Sequence, residues 1–85
     1  MYLGKRWLKD SLPMSEVVKR IGLENIALFP TEDVVGTYSW KGEKILILIH
    51  LSWGKLDAVK KIRLYAHHAD EEDEEALYEE LTRNL

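Results

Sequence analysis

Apolar and polar positions alternate most regularly from Val59 to His68. There Ile62, Leu64 and Ala66 fall on one side together with Lys60, and Lys61, Arg63, Tyr65 and His67 fall on the other. A two-residue period of this kind predicts a strand with one dry and one wet face. Upstream, Val34–Trp40 and Ile45–Leu51 flank the turn Lys41-Gly42-Glu43-Lys44 and predict a hairpin. Its second arm carries Ile45, Ile47, Ile49 and Leu51 on one side and Leu46, Leu48 and His50 on the other. Both sides begin apolar, which marks a central strand. A loop around Gly54 is expected over 52–58, and Asn25 to Phe29, ended by Pro30, is expected to be a short strand.

The period changes in two segments. Over 12–21, Met14, Val17, Val18 and Ile21 recur at helical spacing, Pro13 suits the first helical position, and Gly22 is a left-handed stop. Over 70–83, Leu77, Tyr78 and Leu81 point one way and Asp70 is a natural N-cap. The first ten residues, with Tyr2 and Trp7, show no clear period; an edge strand is the candidate. The resulting expectation is one α+β domain over 1–85, an antiparallel sheet of three to four strands with two helices packed on one face.

Composition narrows the chemistry. The 85 residues include no cysteine, which removes disulfides and thiolate metal sites. The longest apolar run, Ile45 to Ile49, is far too short to cross a bilayer, and Met1 to Arg6 does not lead into a signal-peptide core. A cytoplasmic protein is therefore expected. The absence of glutamine, the presence of only two asparagines and the 32% charged residues lean towards a thermostable protein.

Net charge is −3, but it is unevenly spread. Residues 1–69 hold eleven Lys/Arg against seven Asp/Glu, whereas 70–85 hold Arg83 against eight acids. Six of those acids are contiguous: Asp70, Glu71, Glu72, Asp73, Glu74 and Glu75. The plainest account is a solvated helix start, favoured by the helix dipole and paired with Lys60, Lys61 and Arg63. The functional account is a hard-cation site, because calcium takes six to eight oxygens at flexible angles. Convergence would require the stretch Ala69–Asp73 to be partly loop, since neighbouring side chains on a helix diverge. The spacing lacks the glycine and the alternation of an EF-hand.

The segment His67-His68-Ala69-Asp70-Glu71-Glu72-Asp73-Glu74-Glu75-Ala76-Leu77-Tyr78, in a chain of this size and layout, resembles a small family of methanogen (archaeal) α+β proteins that bind calcium and have no known cellular role. The resemblance implies two helices on the same side of an antiparallel sheet. It also implies a weak calcium site whose ligands fall within Asp70 to Glu75; among these, Asp70 and Asp73 are expected as direct ligands and Glu71, Glu72, Glu74 and Glu75 as further ligands or supporting field. It implies Ca²⁺ as the partner and supplies neither a pathway nor a reaction.

Two other chemistries compete. His67 and His68 are neighbours on a strand and point oppositely, which argues against a shared transition metal. Lys61, Arg63, Tyr65 and His67 share a wet face, and Trp40, Trp53, Lys41, Lys44 and Lys55 sit near turns. Basic groups with an aromatic on a sheet are the chemistry of single-stranded nucleic-acid binders, although the RNP1 pattern is missing and the net charge is acidic. Motifs for catalysis (Gly-x-Ser-x-Gly, a P-loop, His-Glu-x-x-His) are absent, so no enzyme is expected.

Overall fold

The computed structural model describes residues 1–30, 33–54, 58–67 and 70–85. Among these, strands run over Tyr2–Pro13 (β1), Glu24–Leu28 (β2), Asp33–Trp40 (β3), Glu43–Trp53 (β4) and Ala58–His67 (β5). Helices span Met14–Ile21 (α1) and Glu74–Thr82 (α2), the second preceded by a 3₁₀ turn at Glu71–Asp73. The five strands form one antiparallel sheet in the order β1-β5-β4-β3-β2. The class is α+β as expected, with five strands rather than three to four.

β4 is the central strand, in keeping with its apolar start on both faces. Ile45, Ile47, Ile49 and Leu51 are buried, together with Val34 on β3 and Ile62, Leu64 and Ala66 on β5. Both helices close this side: Val17 and Ile21 from α1, and Leu77 and Leu81 from α2, join the same core. Burying those four helical side chains contributes roughly 1.5–3 kcal/mol each, which anchors two short helices that would not persist alone. The β3–β4 connection tightens to a two-residue turn, with Lys41 and Gly42 both at positive φ (50° and 81°). That geometry matches the twist of the flanking strands.

The extra strand is β1, at the edge beside β5. Its inward residues Leu3, Leu8 and Leu12 lie against the core, but their spacing follows no two-residue period. The reason is a register break. Trp7 pairs with Lys61 and Leu12 with Val59, so several β1 residues bulge away from the partner strand. A matching break on the other side of β5 pairs Ser52 with Lys61 and Trp53 with Val59. Lys60 is the extra residue. Instead of sharing the dry face with Ile62, it is exposed, and Val59 is buried in its place.

Two helix starts differ from expectation. Leu12 and Pro13 belong to β1, where an edge strand tolerates proline, and Pro13 serves as the extended N-cap of α1 (φ −60°, ψ 149°). Gly22 closes that helix in the left-handed region, its N–H donating to the Val18 carbonyl. Asp70 is extended and makes no side-chain cap; the 3₁₀ turn intervenes and α2 begins only at Glu74. Much of the expected loop over 52–58 lies outside the described residues, and so do His68 and Lys55. No helix among the described residues is long and apolar enough to cross a membrane.

Candidate functional site

Both helices cover one face of the sheet, so its other face carries no helix among the described residues. Directly paired residues of antiparallel strands project to the same side, so the register orders this open face into rows. One row runs Ala27–Val35–Leu48–Tyr65–Tyr2 across all five strands. The next runs Asp33–His50–Arg63–Lys5, and beyond it lies Ser52–Lys61–Trp7. An apolar and aromatic row thus lies beside a charged one.

The aromatic end of the first row is tied down. Met1 exchanges two hydrogen bonds with Ala66: the Met1 amine donates to its carbonyl and its N–H donates to the Met1 carbonyl, both at 2.8 Å. This brings Tyr2 opposite Tyr65, ring centroids 5.3 Å apart and planes at 55°, a favourable tilted pair. Tyr2, Lys5, Arg63 and Tyr65 line one shallow depression. Leu46, Leu48 and His67 line another with Tyr65 at their shared border.

The β5 bulge acts on the third row. By inserting one residue it re-aims side chains locally, and both Lys60 and Lys61 place their ammonium groups near Trp7, at 5.9 and 4.9 Å from the ring centroid. Trp7 is the most exposed large apolar side chain on the described surface, at 59%. Trp40 and Trp53, by contrast, pack against the core with buried indole N–H groups and serve as fillers.

Charge is graded across this face. Lys5, Lys60, Lys61 and Arg63 occupy the β5/β1 half, while Asp33 and Glu24 occupy the β3/β2 half. Asp33 holds His50 through a 2.7 Å contact between Oδ1 and Nδ1, and Glu24 approaches Lys44 at 3.9 Å. The acid-rich C-terminal segment lies on the helical side instead. The imbalance along the sequence therefore becomes one across the sheet.

The acidic run itself is spread over three backbone states. Asp70 is extended, Glu71, Glu72 and Asp73 form the 3₁₀ turn, and Glu74 and Glu75 begin α2. Among the described residues no three His, Asp or Glu side chains converge as a metal-holding group. Among the described residues, the cation that reaches the run is Lys41 from the hairpin turn, bonded to Asp73 Oδ1. The Lys41 hydrogen bond and charge hold the Asp73 carboxyl below the usual aspartate range and, reciprocally, raise the lysine. Further along α2, Tyr38 donates to Glu80 Oε1 at 3.0 Å; burial first and Glu80 second push that phenol up.

A further hollow, lined by Lys9, Asp10, Arg20 and Arg83, sits beneath the β1 bulge. Two of its cations are already engaged, Arg20 with Glu16 and Arg83 with Glu80. Comparison with protein-family models, characterised proteins and solved structures returned no match to this chain.

Proposed function

We propose that the open face binds single-stranded nucleic acid over β4, β5 and β1. The observation that carries this reading is the adjacency of two rows: Leu48–Tyr65–Tyr2, onto which bases stack, and the charged row beside it, whose Arg63 and Lys5 hold the phosphates. Trp7 with Lys60 and Lys61 extends the same chemistry by one more stacking position. Stacking on an aromatic is worth about 1–3 kcal/mol per base and tolerates any sequence. A net charge of −3 is no obstacle, because eight of the fifteen acids lie in 70–85 on the helical side and the field over the β5/β1 half of the sheet is set by nearby cations.

The test is polarisation of a labelled eight-nucleotide single strand at low and moderate salt, with a duplex of the same sequence as control. Binding that weakens with salt and is weaker in both Tyr65→Ala and Arg63→Ala supports the reading. A flat titration at low salt removes it.

A second reading concerns the acidic turn. Because Asp70 is extended and the next three residues form a 3₁₀ turn, carboxylates and backbone carbonyls are not locked into a regular helix. We infer weak Ca²⁺ binding by the acidic side chains from Asp70 to Glu75, the span the methanogen resemblance implies, with Asp70 and Asp73 leading. At a hundredfold excess over Kd one ion adds about 2.7 kcal/mol to stability. A Tm unmoved by millimolar Ca²⁺, or moved equally by Na⁺ at matched ionic strength, ends this reading.

A further inference from the structure

The charged row holds a group that binding alone does not require. His50 sits at its centre, between Asp33 on β3 and Arg63 on β5, with Lys5 one strand further. Asp33 Oδ1 lies 2.7 Å from His50 Nδ1. An ionised carboxylate only accepts, so Nδ1 carries the hydrogen and Nε2 is the basic nitrogen. The His50 side chain is 37% exposed, enough to meet a strand lying on the face. Directly opposed side chains on antiparallel strands have Cβ atoms about 4.5–5.5 Å apart, which places the Arg63 guanidinium within reach of a phosphate whose ribose touches His50.

We infer that this face cleaves the single-stranded RNA it binds, without a metal ion, using His50 as general base. The inference rests on the binding reading above. In the step, His50 Nε2 takes the proton of a ribose 2′-hydroxyl and the 2′-oxygen attacks the adjacent phosphorus. The bond from phosphorus to the 5′-oxygen of the next nucleotide breaks, and that oxygen takes a proton from water. The products are a 2′,3′-cyclic phosphate and a 5′-hydroxyl; the imidazolium then returns its proton to solvent. No electrons are exchanged and no co-reactant is consumed. Arg63 and Lys5 hold the phosphate and stabilise the charge that builds on its oxygens, as cations aimed at a developing oxyanion do. Asp33 is a positioning residue: it fixes the ring orientation and the tautomer.

General bases of this kind contribute typically about 10²–10⁴-fold. The experiment incubates the full chain with a labelled single strand in EDTA, beside His50→Ala and Asp33→Asn purified identically, with binding measured in parallel. A second substrate is all-deoxy except for one ribonucleotide. The expected result is cleavage at that ribonucleotide alone, with a cyclic-phosphate end. His50→Ala should be at least a hundredfold slower with binding unchanged within threefold, and added imidazole should restore part of its rate. Asp33→Asn should lower kcat and leave KM in place. Bound but intact RNA, cleavage of the second substrate at its deoxynucleotides, or a His50→Ala rate equal to wild type overturns the cleavage step and leaves the binding reading standing. Absence of binding to RNA and DNA alike overturns both.

Discussion

Tyr78 lays its ring directly over Gly4: a Cβ built on that glycine would stand 2.9 Å from Cε2 and 3.1 Å from Cδ2. The ring is not at liberty to swing aside, because its hydroxyl donates to the Lys5 carbonyl at 2.9 Å. This is how the acidic helix is fastened to the edge strand, and Leu77, the neighbour of Tyr78, is fully buried in the core. Gly4→Ala is therefore expected to destabilise the domain by about 1–3 kcal/mol, in the manner of an overpacked core. Tyr78→Phe keeps the ring and loses one hydrogen bond, worth about 0.5–1.5 kcal/mol. Urea denaturation of the two variants checks the order, with Gly4→Ala the weaker protein.

Much of this architecture is legible in the chain. The hairpin, the central strand and the last strand all follow from two-residue alternation, and α1 stops at Gly22 as its sequence indicates. What escapes is what alternation cannot encode. β1 lies at an edge and bulges between Trp7 and Leu12, so Leu3, Leu8 and Leu12 show no repeat even though they all pack inward. Lys60 reads as a dry-face residue because a single inserted residue on β5 moves Val59 into that role. The basic face of β5 was visible, but its partners were not: Tyr2, Lys5 and Trp7 join Lys61, Arg63 and Tyr65 only through pairing across more than fifty residues. The one available signal was an exposed tryptophan and tyrosine among lysines in a segment without a period.

If bases stack on the Tyr2–Tyr65 row while phosphates follow Arg63 and Lys5, the two kinds of residue fail differently. Tyr65→Ala should weaken binding by about 1–3 kcal/mol at every salt concentration, since stacking is not ionic. Arg63→Ala should reduce the slope of log K against log salt by about 0.7, the loss of one phosphate contact on a single strand. Lys44→Ala, on the acidic half of the face, should change neither. Titrations at four salt concentrations separate these effects, and equal slopes for wild type and Arg63→Ala would place the phosphates elsewhere.

The Lys41–Asp73 pair sets a pH dependence whose sign is fixed by the two shifts. Asp73 is depressed in the folded protein, so its contribution is present above the ordinary aspartate value near 3.9 and is lost as pH falls through the lower folded value. Lys41 is raised, so the same contact is present below the ordinary lysine value near 10.4 and is lost as pH climbs through the higher folded one. The lysine is exposed, so salt screens the effect. Lys41→Met is expected to melt below wild type at pH 7, with the gap narrowing in strong acid to what the Lys41–Trp40 ring contact contributes. A gap that is unchanged from pH 7 to pH 2, and equally unchanged in 1 M salt, would show that the pair does not stabilise the fold through charge.

The same lysine provides a test for the acidic turn. Asp73 is a leading calcium ligand of the second reading, yet its Oδ1 is already bonded to an ammonium group. A divalent ion entering the turn must either displace that group or share the carboxylate with it, and two cations at one carboxylate repel. Removing the lysine should accordingly tighten Ca²⁺ binding, even though it loosens the unliganded protein. In Lys41→Met the Tm gained on adding Ca²⁺ is expected to exceed the gain in wild type, and amide shifts over Asp70–Glu75 should saturate at lower Ca²⁺. Asp73→Asn should do the reverse, binding more weakly than wild type. If both variants respond to Ca²⁺ as wild type does, the ion sees only a diffuse negative field and Asp73 is not a ligand.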